Sequence, residues 1–110
     1  MPGVSIHVVD VARGVVAAGM RVELLFGSEP LLDEATSARG QVELGRTLRP
    51  DPYEARFHVA AWYRGQGVAL PDVPFLEVVT FRFGIDDPRQ HYHLPFKCTP
   101  WGYSCFRGGA

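Results

Sequence analysis

Apolar and polar side chains alternate along most of this 110-residue chain, and the alternation has the period of a strand rather than of a helix. Val4, Ile6 and Val8 alternate with Ser5, His7 and Val9, which predicts a strand ending at Asp10 and the turn-prone pair Arg13-Gly14. Met20, Val22, Leu24 and Phe26 alternate with Arg21, Glu23 and Leu25, a second strand stopped by Gly27 and Pro30. Residues 31–40, with the polar run EATSARG, are expected to punctuate the chain rather than build an element, and a short third strand follows over Gln41 to Leu44. Residues 54–63 place Ala55, Phe57, Val59 and Ala61 on one face. Residues 76–85 do the same with Glu77, Val79, Phe81 and Phe83, so both segments are expected as strands. Between them, RGQGVALPDVP is too rich in Gly and Pro for more than a single helical turn. A last hairpin joins 91–98 to 102–107 through Thr99-Pro100-Trp101. Seven or eight short strands with turn residues between them predict an all-β, antiparallel sandwich. Residues 1–110 are read as one domain, since the length is near the modal domain size and no repeat, linker or low-complexity tract divides it.

Charge narrows the partners. Lys and Arg number 11 against 12 Asp and Glu, so no net field steers the chain onto nucleic acid or an acidic membrane. No apolar run approaches the ~20 residues that span a bilayer, and MPGVSIHVVD has neither a basic start nor a continuous apolar core of a leader. The expectation is a cytoplasmic protein without a membrane or nucleic-acid partner. Cys98 and Cys105 bracket a Pro-Trp-Gly turn, and in that compartment the pair is expected to stay reduced.

Candidate chemistry rests on histidine. An imidazole, with an ordinary pKa of about 6.5, exchanges protons near neutral pH. His91 and His93 form an H-x-H pair on one strand face, but no motif joins a carboxylate or third histidine to them, so neither a metal nor a cofactor is expected. His58, beside Phe57, is read as structural. Ser104 lacks a G-x-S-x-G elbow and is read as a pocket hydroxyl rather than a nucleophile. Phe81, Phe83, Trp62 and Trp101 are assigned to the core rather than to a ligand cage.

The C-terminal segment HYHLPFKCTPWGYSCFRGG is similar to the signature of the transthyretin-like hydroxyisourate hydrolases, which reads roughly HYHVPLLLSPYGYSTYRGS. SIHVVDVARGVVAAGMRVEL resembles that family's opening strand, turn and second strand. TSARGQ resembles its loop T-N-x-D-G-R, and PFLEVVTFRF its FFPEVSVTFEV. The resemblance implies a transthyretin-like β-sandwich with a short helix after the fifth strand. It also implies a dimer of dimers around a channel lined by C-terminal strands, with active sites at the dimer–dimer junctions. It carries the family's two catalytic histidines onto His7 and His93. The loop arginine falls on Gln41, and Y-R-G-S falls on Phe106, Arg107, Gly108 and Gly109, so a cation, a phenol and a hydroxyl are replaced.

Hydrolysis of 5-hydroxyisourate needs a water deprotonated near neutral pH, a task for His7 and His93, and donors for the developing oxyanion, where a guanidinium serves best. Side chains on a strand repeat with period two. If His93 faces the channel, Pro95 and Lys97 face it too, and Ser104 shares a face with Phe106. The expected pocket thus holds His7, His93, Lys97, Gln41 and Ser104 beside Phe106, with Arg107 as the remaining cation of the terminal motif. Lys97, where the family pattern has leucine, is a candidate for the positive charge that Gln41 lacks. Arg46, five residues after Gln41, is a second. Three functions follow: a cofactor-free hydrolase of 5-hydroxyisourate or a close analogue in purine degradation; an enzyme on the same scaffold turned to another small heterocycle or to a cyclisation; and a small-molecule binding protein using the channel. Retention of both histidines disfavours the third.

Overall fold

The computed structural model describes residues 2–109. Strand β1 (Gly3–Asp10) turns Val4, Ile6 and Val8 into the core, and β8 (His91–Thr99) turns in Tyr92, Leu94, Phe96 and Cys98. The two strands run parallel, in register from Gly3↔His91 to Asp10↔Cys98. The two-residue β2 (Val15–Val16) and β5 (Gln41–Leu44) both pair with β1, while β9 (Gly102–Cys105) pairs with β8. The second sheet has the order β4 (Glu29–Ala35), β3 (Arg21–Phe26), β6 (Asp51–His58), β7 (Val78–Ile85), all antiparallel. The expected all-β sandwich is therefore present, in two sheets with one parallel pair. Its sheets meet where Phe57 of β6 stacks on Phe96 of β8, ring centroids 3.8 Å apart and planes within 4°. Both rings are wholly buried, and truncating either to alanine costs about 3–5 kcal/mol.

Two segments differ from the sequence-based expectation. Residues 29–35 form β4 instead of a connecting loop. Its polar side chains suit an edge strand, and Arg21 reaches across from β3 to grip Asp33 with two hydrogen bonds of 2.8 and 2.9 Å. Pro30 is tolerated because β4 is an edge strand and the ladder shifts register beside it, so no amide proton is needed there. The second difference is the strand expected over 54–63. It begins at Asp51 and ends at His58, and Val59–Gly65 form helix α1. Its buried residues Val59, Ala60, Trp62 and Tyr63 follow helical spacing, which a short apolar run conceals within an apparent alternation. The helix follows the fifth of the longer strands, as the family resemblance implies.

Tyr63 fastens this helix to the end of β1. Its hydroxyl donates to Oδ1 of the fully buried Asp10 at 2.6 Å and lies 3.2 Å from the Cys98 carbonyl. Burial alone would raise the Asp10 carboxyl, but the Tyr63 hydroxyl, the Arg13 guanidinium at 2.7 Å and the Ala12 amide hold it below the usual carboxylate range. Trp62 adds a hydrogen bond from Nε1 to the Ala18 carbonyl at 2.7 Å.

The loop leading into β5 is equally constrained. Ser37 N–H donates to the Gln41 carbonyl at 2.9 Å, and the Gly40 carbonyl accepts from Val8 N–H at 2.8 Å. Gly40 sits at φ +73° with its Cα hydrogen side against β1, where a Cβ would stand 2.6 Å from the Val8 carbonyl oxygen. Only glycine fits, and the contact sets the register that places Gln41 opposite His7.

Tyr63→Phe is expected to lower unfolding free energy by about 1–3 kcal/mol, because a buried carboxylate loses a donor. Urea unfolding, read as a lower midpoint at unchanged slope, checks it.

Candidate active site

The outer face of the first sheet collects the chemistry. On this face Ser5 stands beside His93 on β8 and Glu43 on β5, and His7 stands beside Pro95 and Gln41. Farther along, Lys97 stands beside Ser104 of β9. Period two does the sorting: residues that alternate with the buried Val4, Ile6, Val8, Leu94 and Phe96 all emerge on the opposite side.

The histidines are held, not merely displayed. Ser5 Oγ lies 2.7 Å from His91 Nε2 and 2.7 Å from His93 Nδ1. Partial burial, aided by repulsion from His7 and His91, lowers the pKa of His93 below the ordinary histidine value. It is thus a neutral base at pH 7. The chain after β9 continues along β8, where Gly108 N–H donates to the His93 carbonyl at 2.7 Å. Gly108 lies flat on the site: a Cβ there would come within 2.9 Å of Pro95 Cγ and 3.1 Å of His93 Cδ2.

Most of the sequence-based site gathers here. His7, His93, Gln41, Lys97 and Ser104 share the face by register, and the Lys97 ammonium lies 5.8 Å from the Phe106 ring centroid, within cation–π range. An open depression of about 370 Å³ adjoins them at the β8–β9 hairpin, lined in part by Lys97, Gly102 and Ser104.

Two expected members lie elsewhere. Arg107 has the parity of Cys105, opposite to Phe106; its guanidinium stacks 3.8 Å from the Tyr92 ring centroid and donates to Gln90 Oε1 at 2.9 Å. Arg46 lines a separate cavity of about 380 Å³ with Phe26, Glu29, Arg49 and Tyr53, since its strand has already ended at Leu44 and the chain has turned toward β6. Of the cations singled out from sequence, Lys97 stands on the histidine face, while Arg107 touches its strand only at the His91 backbone carbonyl, 3.3 Å away. His58 is bound to Glu23 at 2.6 Å in the other sheet, in keeping with its structural reading.

Ser5 and Glu43 were not singled out from sequence. The alternation that turns His7 outward turns Ser5 outward too, so half of the signal was present. The other half, the parallel register that brings Ser5 against the H-x-H pair, joins residues 86 and 88 positions apart.

Chemically, the face offers a neutral imidazole at His93 with those of His7 and His91 near it, an amide and an ammonium for polar atoms of a ligand, and an aromatic edge. That inventory suits proton transfer on a small polar ring. A family model described as HIUase/Transthyretin matches residues 4–108. The chain is 44% identical to a 5-hydroxyisourate hydrolase of Deinococcus radiodurans, covering 97% of this chain and 96% of that protein. Among solved structures it is similar to the 5-hydroxyisourate hydrolase of Klebsiella pneumoniae, with TM-score 0.85 and 28% identity over 99% of this chain and 100% of that one. It is also similar to an (S)-allantoin synthase, with TM-score 0.87 and 29% identity over 97% of this chain and 43% of that longer one. Matched along nearly its whole length in sequence and in fold, the chain belongs to the HIUase/transthyretin family.

Proposed function

We propose that the protein is a hydrolase of 5-hydroxyisourate or a close analogue, working with water and its own side chains and no cofactor. The observation that carries this reading is the 44% identity to a hydrolase of that name along the whole chain, with His7 and His93 together on one face. His93, neutral at pH 7, takes a proton from water as the oxygen attacks a ring amide carbonyl. His7 stands ready to supply a proton to the ring nitrogen that leaves. Gln41, opposite His7, donates to a substrate oxygen, and Lys97 with Ser104 offers charge and a hydroxyl where negative charge develops. Phe106 flanks the Lys97 ammonium and narrows that end.

Assembly as a homotetramer, a dimer of dimers, belongs to the same proposal. Its support is the family resemblance together with the exposed Val11, Trp101, Tyr103 and Phe106 at and beside the β8–β9 hairpin. A role in purine degradation follows from the substrate. A cytoplasmic setting is supported by two cysteines that remain free thiols.

A second reading, another small heterocycle on the same scaffold, is favoured by one observation: an uncharged Gln41 stands opposite His7 where the family loop ends in arginine.

The deciding assay follows ultraviolet decay of 5-hydroxyisourate, generated in place from urate. The protein is expected to accelerate decay, and His93→Ala to lose ~10²–10⁴-fold in kcat. Decay no faster than in buffer overturns the hydrolase reading and favours the second. Because the base must be unprotonated, kcat/KM is expected to fall in acid with a midpoint below 6.5; a midpoint above it would contradict the neutral His93.

Lys97→Leu is expected to lower kcat/KM by ~10-fold or more, since a charged donor is lost from a site of developing negative charge. Unchanged turnover would remove Lys97 from the site. Gly108→Ala pushes a methyl group into Pro95 and the His93 ring. A loss of about tenfold in kcat/KM is expected, with the thermal midpoint within a few degrees of the parent's because the tail lies outside the core.

A further inference from the structure

A serine hydroxyl has one proton to give, and a neutral imidazole has one N–H and one lone pair. Ser5 Oγ is 2.7 Å from a ring nitrogen of each of two histidines. With both rings neutral, both contacts are hydrogen bonds only if one ring accepts from Ser5 while the other donates to it. Two arrangements meet this condition. In one, Ser5 donates to His93 Nδ1, so the His93 proton sits on Nε2. In the other, His93 Nδ1–H donates to Ser5 and Ser5 donates to His91 Nε2. Only the second leaves a lone pair on His93 Nε2.

We propose that Ser5 is a positioning residue that couples His91 to His93, holding His93 as the Nδ1–H tautomer and passing part of its acquired charge to His91. The proposal rests on the reading of His93 as the base. When water gives a proton to His93 Nε2, the Nδ1 proton can move to Ser5 Oγ as the Ser5 proton moves to His91 Nε2. One N–H bond forms at each ring, one breaks at His93 Nδ1, Ser5 ends with the proton it needs, and the positive charge arrives on His91. Reversal moves a proton from His91 through Ser5 back to His93 Nδ1 and returns the positive charge to His93, whose Nε2 proton is then free to leave.

The surroundings bias this exchange. Glu43, registered beside Ser5 from β5, favours a cation on the pair. His7 from β1, and Lys97 along β8, oppose it when charged. Arg107, from the C-terminal segment, donates to the His91 carbonyl at 3.3 Å and adds positive charge behind His91. A serine at position 5 thus lets two rings share one proton in a neighbourhood that resists two.

Imidazole ¹⁵N NMR of the full chain tests the coupling without substrate, with His93→Ala supplying the assignment. The parent is expected to show His93 protonated at Nδ1 and two macroscopic titration steps belonging to the pair. In Ser5→Ala the His93 proton should redistribute toward Nε2 and the two rings titrate independently, and Ser5→Thr should restore the parent pattern. His91→Gln, which keeps Ser5, should collapse the His93 titration to a single step. In the decay assay Ser5→Ala is expected to lose ~10–100-fold in kcat/KM and to move the acid limb, with Ser5→Thr recovering both. Unchanged ¹⁵N shifts in Ser5→Ala, or no recovery in a Ser5→Thr protein of parental thermal midpoint, would overturn the proposal. If the parent fails to hydrolyse 5-hydroxyisourate, the spectra still decide the coupling, so failure of the reaction and failure of the relay are read apart.

Discussion

The parallel pairing of β1 with β8 is the constraint on which core and site both depend. It joins the two ends of the chain, from Gly3↔His91 to Asp10↔Cys98. Closing so long a loop costs entropy that grows only logarithmically with its length, while each buried Val, Ile, Leu or Phe side chain returns about 1.5–3 kcal/mol. Val4, Ile6, Val8, Leu94 and Phe96 supply that return on the inner face. The same pairing sets Ser5 against His93 on the outer face. A slip of one residue would send the apolar set to water and the histidines into the core, so the requirement for a core enforces the geometry of the site.

The ends of this strand pair are anchored by polar contacts that survive burial because each is satisfied. Asp10, at the close of β1, accepts hydrogen bonds from Tyr63, Arg13 and Ala12, and Tyr63 in turn belongs to α1. The helix, the end of β1 and the Cys98 backbone are thereby locked together at the hairpin end of β8. Burial also pushes the Cys98 thiol up to about 11 and the Cys105 thiol up to about 12, so both are unreactive thiols at neutral pH. They fill space beside Phe96 rather than contribute chemistry.

In the proposed reaction the histidine face would work through neutrality more than charge. Partial burial and neighbouring imidazoles keep His93 from holding a proton, which suits a group that must accept one. The resemblance to the family's T-N-x-D-G-R loop sets Gln41 where that loop ends in arginine, and the register puts this residue opposite His7, where an amide offers hydrogen bonds but no cation. The ammonium of Lys97, flanked by Phe106, is the cation proposed to supply charge in its place. Arg107 is spent on Tyr92 and Gln90, and Arg46 faces another cavity.

Alternation in the sequence determined most of the strands and, with them, which side chains face out, because a half-buried sheet requires apolar residues at every second position. That is why His7, His93, Lys97 and Ser104 were legible as one surface. Local pattern failed at two places for physical reasons. Residues 29–35 are polar because β4 is an edge strand open to water, and 59–65 form a helix because Trp62 and Tyr63 find partners in Ala18 and Asp10, distant in sequence. What only the tertiary structure decided is who stands beside whom. The parity rule assigns a face to every strand residue but no neighbour, so the Ser5 bridge between His91 and His93, and the removal of Arg46 and Arg107 from the pocket, follow from register and chain direction alone.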